Sequence, residues 1–206
     1  MHNEGVATDD RWIWDGGRVC LDFANTLRSR WGTAPVETLR EPDDLTGWLR
    51  EALLLAPGTV EPATAAVLMS ARRLRESVDR AVLAIADGRL PTSGDVTLLN
   101  RSAAAAPRPA LHLVITGDRL EPAGPTPLAA DPALALALIA QDAVDLLLSA
   151  EIRRVRVCGA DRCALRFLDR SPARNRRWCS MARCGNRTKV RLHQARARQN
   201  GPMAEN

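Results

Sequence analysis

Four cysteines in the last quarter of the chain have the type and spacing of metal ligands. Cys158 and Cys163 form one pair and Cys179 and Cys184 form a second; each pair has four intervening residues, and fifteen residues separate the pairs. Thiolates on two short turns can converge on one tetrahedral Zn²⁺. The pattern therefore predicts a single structural zinc ion that is held by all four cysteines, with no open position for water or substrate.

Other roles for these cysteines are less well supported. The first residues are polar and acidic, without the basic start and apolar run of a secretory signal, so we expect a cytoplasmic protein whose cysteines stay reduced rather than forming disulfides. His193 lies nine residues beyond Cys184 and is a weaker candidate ligand. The remaining cysteine, Cys20, lies in an apolar segment and is interpreted as a small buried side chain.

Charge divides the chain into two parts. Residues 1–150 contain 14 arginines and 20 acidic residues, a balance of −6, whereas residues 151–206 contain 15 basic and 4 acidic residues, a balance of +11. This asymmetry is typical of a basic nucleic-acid-binding module that is attached to an acidic domain. Two interpretations stay open: the basic segment contacts phosphates, or it pairs with acidic patches of the N-terminal domain.

Arginine suits phosphate because its planar fork donates two hydrogen bonds at once. Arg183, Arg187 and Arg191 recur at intervals of four and would line one face of a helix, and Asn186 is a candidate for reading adenine. The expected partner is double-stranded DNA, with RNA or a protein as alternatives. The candidate nucleic-acid contacts are Arg174, Arg176, Arg177, Arg183, Asn186, Arg187, Lys189 and Arg191.

The apolar pattern predicts an α+β protein: a mixed helix and antiparallel-sheet N-terminal domain (1–150) and a small treble-clef-like zinc finger (151–206). No apolar run reaches the ~20 residues that span a bilayer, so no membrane association is expected. Zinc can supply on the order of 10 kcal/mol to so small a module, so its removal is expected to unfold the tail and leave the N-terminal domain folded. Helices are predicted at 19–31, 41–56, 61–86, 91–106, 131–150 and beyond Cys184, and strands at 111–116, 154–157, 165–168 and 176–178.

Two stretches resemble known families. Residues 176–187 read RRWCSMARCGNR, and with CGADRC at 158–163 they resemble the CGNR zinc finger; residues 17–26, GRVCLDFANT, resemble the opening signature of the ABATE domain. The resemblance implies a bacterial, stress-linked transcription regulator with an α/β N-terminal domain that senses a ligand and a zinc finger that binds DNA. It also implies that the four paired cysteines are the zinc ligands.

Within the N-terminal signature, Asp22, Asn25 and Thr26 would share a helix face and form a candidate pocket for a small-molecule effector; helix capping or an interdomain hydrogen bond is the alternative. The sequence contains no nucleophile–base constellation, paired-carboxylate pattern or glycine-rich phosphate loop, and it has three histidines. We therefore predict that the protein is not an enzyme. The operator sequence, the effector and the oligomeric state are left open.

Overall fold

A computed structural model of the chain describes residues 11–59, 61–106, 112–123 and 128–199. These residues form the predicted α+β fold, with helices as the main elements and three small antiparallel sheets of two strands each. The helices are α1 (Val19–Ala24), α2 (Pro42–Glu51), α3 (Ala65–Ala86), α4 (Ser93–Ala103), α5 (Pro132–Leu148) and α6 (Asn186–Gln199). The paired strands are β1 (Leu27–Arg28) with β2 (Val36–Glu37), β3 (His112–Thr116) with β4 (Arg119–Ala123), and β5 (Val155–Val157) with β6 (Arg166–Leu168).

Side-chain caps set where the long helices begin. Thr64 Oγ1 accepts a hydrogen bond from the Val67 N–H at 3.3 Å, and the Asp131 carboxylate accepts one from the Leu134 N–H at 2.9 Å. Each cap satisfies an amide of the first turn that has no partner within its helix. α3 therefore begins later than the predicted start at Glu61, because Thr64 fixes the boundary.

α1 ends at Ala24, whereas the apolar pattern predicts a helix that continues to Trp31. The cause is Asn25, whose side chain makes two hydrogen bonds with the backbone of Arg166 in β6. Its Nδ2 donates to the Arg166 carbonyl and its Oδ1 accepts from the Arg166 N–H, both at 2.8 Å. A strand from the other end of the chain thus decides where this helix stops.

One hydrophobic core joins the N-terminal helices to the start of the C-terminal segment. α3 packs against α1, α4 and α5, and the rings of Phe23 and Trp48 lie with centroids 5.3 Å apart. Ile152, Val155 and Leu168 are buried in this same core. The C-terminal segment is therefore not a module on a free linker, since its first strands belong to the main core.

The C-terminal strands differ from the prediction in one element. β6 pairs with β5, and the turn between them carries the first cysteine pair. The expected return strand at 176–178 is not a strand in the described structure. Instead, the Asp169 carboxylate accepts a hydrogen bond from the Arg176 N–H at 3.0 Å, and the Arg177 carbonyl accepts one from the Gly159 N–H at 2.9 Å. These bonds use backbone groups that a strand pairing with β6 would need.

The β3–β4 hairpin confirms the strand predicted at 111–116, although Leu111 lies outside the described residues. Its partner β4 occupies a proline-rich stretch in which no element is predicted from the sequence. The most apolar helix, α5, has 17 residues. Over the described ranges, no helix combines the length and the apolar character that crossing a bilayer requires.

A buried ion pair joins β6 to α3. Arg166 is 1% exposed, its Nε lies 2.5 Å from Asp79 Oδ1, and its Nη2 donates to Asp79 Oδ2 at 3.0 Å. Burial raises the pKa of Asp79 and lowers that of Arg166, while the attraction between the two charges opposes both shifts. Because desolvating two ions costs several kcal/mol each, such a pair specifies a docking geometry more than it adds net stability.

We expect Asp79→Ala to lower the free energy of unfolding by about 3–5 kcal/mol, because it leaves the Arg166 guanidinium buried without its counter-charge. Urea denaturation followed by circular dichroism measures the change. Asp145→Ala is the matched control: it removes an exposed carboxylate that accepts from Gln141 one helical turn away, at a cost of less than about 0.5 kcal/mol. Equal losses in the two variants would contradict a structural role for the buried pair.

Candidate metal centre and its basic surroundings

Four short segments bring the paired cysteines together. Cys158 directly follows β5, and Cys163 lies in the turn that leads to β6, so we call residues 158–163 the knuckle. Cys179 ends the irregular segment after β6, and Cys184 lies in the π-helical turn Met181–Gly185 that opens into α6. Two ligands therefore lie in the turn of the β5–β6 hairpin, a third ends the segment that follows β6, and the fourth lies in the turn before the last helix.

The backbone around Cys163 is strained. Arg162 and Ala164 have φ values of 63° and 53°, in the left-handed region that is unfavourable for residues other than glycine. Strain of this kind persists only where the surrounding structure enforces it. The constraint here is the convergence of Cys163 on the other three thiols.

The distances between the sulfur atoms fit a zinc ion. Cys163, Cys179 and Cys184 have Sγ atoms 3.5 to 3.7 Å apart, and all four Sγ atoms, including that of Cys158, lie within 4.8 Å of one another. A tetrahedron with Zn–S bonds of ~2.3 Å has edges of about 3.8 Å. The four cysteines are thus the ligands of one structural Zn²⁺, whose chemistry is to cross-link these segments.

The thiols also affect each other's ionisation. Hydrogen bonds from Cys163 and Cys179 lower the pKa of the Cys158 thiol. The same contacts with Cys158 raise the pKa values of Cys163 and Cys179. One thiolate therefore opposes the ionisation of its neighbours, and a bound dication is what allows all four to be thiolates together.

Two N–H groups add support around the sulfur atoms. The Cys179 N–H donates to Cys158 Sγ at 3.3 Å, and Arg187 Nη2 donates to Cys184 Sγ at 3.5 Å. Such contacts orient thiolate ligands and offset part of their negative charge. Arg187, expected to contact nucleic acid, thus also touches the metal centre.

Arg176, another expected nucleic-acid contact, is engaged within the protein. Its guanidinium carbon lies 4.7 Å from the centroid of the Phe167 ring. Its Nε donates to the carbonyl of Trp178 at 2.8 Å, and its Nη2 donates to the carbonyl of Cys179. The guanidinium therefore holds the segment that delivers Cys179 to the metal.

Two of the three arginines at four-residue spacing pair with acidic side chains, and the first of the three, Arg183, lies in the π-helical turn that precedes α6. Arg183 forms an ion pair with Asp15 of the N-terminal domain. Arg191 Nη1 lies 2.9 Å from Asp161 in the knuckle. The Arg183–Asp15 pair joins the basic segment to the acidic domain, as the second interpretation of the charge pattern expects.

The other expected contacts point to solvent. Arg174, Arg177, Asn186 and Lys189 are exposed, and Arg177 stacks over the Trp178 ring at 5.3 Å. No acidic side chain within the described ranges forms an ion pair with the three cations of this group. They are among the cations that the zinc-bound segment presents at its surface.

Asp22, Asn25 and Thr26 are buried, and their polar atoms are used within the protein. Asp22 Oδ1 accepts from the Gly16 N–H at 2.7 Å, and Thr26 Oγ1 donates to the Phe23 carbonyl at 2.7 Å. Asn25 holds β6 as described above. The three side chains lie where the N-terminal domain meets the C-terminal strands, and the effector pocket expected there stays a prediction.

The loop between β1 and β2 contacts the zinc-bound segment, although no sequence motif marks it. Ser29 Oγ donates to the Arg162 carbonyl at 2.9 Å, which attaches this loop to the knuckle. Trp31, in the same loop, is 67% exposed, and the Arg166 guanidinium carbon lies 5.3 Å from its ring centroid. No local pattern could have paired residues that are 133 positions apart.

We expect Cys184→Ala to abolish stoichiometric zinc binding, measured by inductively coupled plasma mass spectrometry, and Cys20→Ala to retain one zinc per chain.

A second prediction concerns the fold after zinc is removed with a chelator. Hydrogen exchange should then show lost protection of the backbone amides from residue 158 to residue 185. Because β6 shares the main core, the loss should extend to α1 and α3, while α4 stays protected. This outcome differs from the sequence-based expectation that removing zinc leaves the N-terminal domain folded. Protection retained throughout α3 after chelation would support that earlier expectation instead.

The buried carboxyl group of Asp22 makes the free energy of unfolding depend on pH. Burial raises its pKa from 3.8 to about 7, opposed in part by the hydrogen bond from Gly16. Between about pH 4 and pH 7 the folded state therefore keeps a proton that the unfolded state has lost, so the free energy of unfolding falls as pH rises, by on the order of 4 kcal/mol over the full shift.

We expect Asp22→Asn to remove this component, because the amide stays neutral and still accepts from Gly16. The measurement is urea denaturation at pH 5 and pH 7.5, in which the variant gains stability over the parent at the higher pH. Asp118→Asn, at an exposed turn, is the control and should follow the parent at both values. If the free energy of unfolding changes by the same amount between pH 5 and pH 7.5 in Asp22→Asn and in the parent, the pKa of Asp22 is not raised.

Comparison with known families agrees with this architecture. The model of the ABATE family, described as "Putative stress-induced transcription regulator", matches residues 17–150, and that of the CGNR zinc finger matches residues 154–197. No curated protein matches the chain. Neither family description names an enzymatic activity. Since the first match covers more than half of the chain and the second contains all four zinc ligands, the chain belongs to the ABATE family and carries a CGNR zinc finger at its C-terminal end.

Proposed function

We propose that this protein is a transcription regulator whose zinc finger binds double-stranded DNA and whose N-terminal domain modulates that binding. The observation that carries the proposal is a set of exposed cations on the zinc-bound segment that have no acidic partner in the described structure: Arg170, Arg174, Arg177 and Lys189. Uncompensated positive charge that clusters on one small module favours a polyanion.

Zinc gives these cations a fixed arrangement. Arg174 and Arg177 lie on the segment that Asp169 and Cys179 hold at its two ends, and Lys189 lies one turn into the helix that follows Cys184. Without the metal these segments have little apolar surface to keep them in place. The proposed contacts are phosphates for the cations and a base edge for Asn186, which is exposed at the start of α6.

The regulatory part of the proposal rests on the junction between the domains. Asn25 lies in the N-terminal signature and also holds the backbone of Arg166, two residues before the end of β6. An effector that engages Asp22, Asn25 or Thr26 would displace β6 and, through the knuckle, the metal centre. The Asp15–Arg183 pair offers a second route, because it connects the N-terminal domain to the turn that holds Cys184.

RNA is the second candidate partner, and Trp31 is the observation that favours it. Its exposed ring lies beside the knuckle, where a base that is unpaired in a loop could stack on it. Duplex DNA offers no such base unless it is deformed. Competition between the two polymers therefore separates the candidates.

We expect zinc-loaded protein to bind a pool of mixed-sequence duplexes with a strong salt dependence. If about five phosphates are engaged, log K falls with log salt at a slope near −4.5. Removing two cations with Arg177→Gln and Lys189→Gln should reduce the slope by about 1.8, since each phosphate contact accounts for about 0.9. Fluorescence anisotropy between 50 and 200 mM salt is the measurement.

The control is the double variant Arg73→Gln and Arg101→Gln, which removes two exposed arginines from α3 and α4 and should leave the slope unchanged. Structured RNA as a competitor should displace the duplex poorly. Absent or salt-insensitive binding by zinc-loaded protein would reject the proposal, and preferential displacement by RNA would favour the second candidate.

A further inference from the structure

The β3–β4 hairpin projects from the rest of the protein. Its two strands contact each other, and no helix or other strand of the described ranges packs against them to a comparable extent. Residues 114–121 are all exposed, and Ile115 and Leu120, which lie opposite each other, are 79% and 65% exposed. A lone two-stranded hairpin is marginally stable in water and gains stability when further strands extend it. The hairpin therefore lacks, within the described structure, the neighbouring strands that stabilise such a pair.

The register of the hairpin shows which backbone groups point away from it. The pair that closes the two-residue turn, Thr116 with Arg119, exchanges hydrogen bonds, and pairs that do so alternate along the strands with pairs that do not. Leu113 and Ile115 belong to pairs of the second kind. Their N–H and C=O groups therefore point outward along the edge of β3, and no other strand of the described ranges is hydrogen-bonded to that edge.

The two edges of the hairpin differ in how they resist a further strand. Pro122 has its backbone nitrogen on the outer edge of β4 and offers no N–H there, and Glu121 beside it is charged. Proline and charge on an edge strand are common protections against pairing with another chain. β3, with the sequence HLVIT, contains no proline and no Asp, Glu, Lys or Arg. The edge of β3 is thus the one that is open to another strand.

We propose that β3 pairs antiparallel with β3 of a second copy of this chain, so that two hairpins form one four-stranded sheet. The sequence HLVIT has the same character in both directions, since polar residues lie at its ends and aliphatic residues lie on either side of Val114. Antiparallel pairing about Val114 therefore places aliphatic residues opposite aliphatic ones and polar residues opposite polar ones. In the equivalent register, two copies of β4 would place Glu121 opposite itself, and like charges directly opposite each other are destabilising.

The proposed pairing is two-fold symmetric and uses the outward groups of β3. Leu113 of one copy lies opposite Ile115 of the other, and these two residues exchange both backbone hydrogen bonds on each side of the axis. Five residues from each copy make a small interface, because standard interfaces use roughly 20–30 residues from each partner. We therefore expect a weak dimer that forms at micromolar concentrations. The pairing involves no cation of the zinc finger and no DNA, so it is independent of the proposed function.

The first test measures association of the zinc-loaded protein by sedimentation equilibrium. Ile115→Pro removes an outward N–H from the β3 edge but no hydrogen bond of the hairpin itself. It should raise the dissociation constant of the dimer about tenfold or more, because each dimer loses two hydrogen bonds. Leu120→Pro is the matched control: it removes the equivalent N–H from the β4 edge, where a proline is already present, and should leave the dissociation constant within about twofold of the parent value.

The second test uses a cross-link to examine the register. In the proposed sheet Val114 lies opposite itself, in a pair without hydrogen bonds whose Cα atoms are about 4.5 Å apart, a separation that a disulfide can span. In a Cys20→Ala background with zinc bound, Val114→Cys should form a covalent dimer when it is treated with oxidised glutathione. Thr116→Cys is the control, exposed two residues further along the same strand. Its two copies would lie more than about 13 Å apart and should cross-link at least about tenfold more slowly.

Zinc content and melting temperature verify that each variant folds, and the cross-linking variants decide if a proline variant fails this check. A dimer that Ile115→Pro weakens more than Leu120→Pro, together with faster cross-linking of Val114→Cys than of Thr116→Cys, supports the proposal. Three results overturn it: a parent protein that stays monomeric throughout the micromolar range, a dimer that Leu120→Pro weakens as much as Ile115→Pro does, and equal cross-linking of the two cysteine variants.

Discussion

The charge of Arg166 lies in the interior of the molecule, where β6 meets α1 and α3, and the arrangement of both domains depends on how this charge is accommodated. Asp79 on α3 supplies the counter-charge, and the side chain of Asn25 forms hydrogen bonds with both the N–H and the carbonyl of Arg166. A buried arginine without these partners would cost several kcal/mol. β6 therefore has one position relative to α1 and α3, and the knuckle that precedes it in the hairpin is positioned with it.

The zinc centre extends this order to segments that have no core of their own. The apolar cluster beside the metal is small, with Leu165 and Phe167 as its larger fully buried members. Four thiolates around one dication replace the packing that the segment lacks. Because β6 is fixed by the N-terminal domain, the metal also fixes the start of α6 relative to that domain. The basic side chains then divide into those that contact other parts of the protein, such as Arg176 and Arg183, and those that face solvent, such as Arg174 and Lys189.

Local patterns predicted the long helices well, since α2, α3, α4 and α5 follow apolar periodicity and have polar residues or proline at their starts. They also predicted β3, and β5 and β6 within a residue at each end. They failed where a distant segment competes with a local preference. α1 stops early because Asn25 bonds to β6, and 176–178 is not a strand because Asp169 and Gly159 bind its backbone. The sequence left open whether Arg183 and Arg191 face a ligand or the protein, because that depends on Asp15 and Asp161.

The sequence by itself determined the metal, its four ligands and the division of charge, because ligand type, ligand spacing and net charge are properties of short stretches. It also indicated both families, through strings of a dozen residues or fewer. Only the tertiary structure decided which arginines are held inside the protein and which remain at the surface, and it alone brought Arg28 and Trp31 to the knuckle. The reason is physical: an ion pair or a cleft is made by side chains that meet across the fold, and their meeting depends on the burial of Arg166 and the closure of the zinc centre, which no local pattern records.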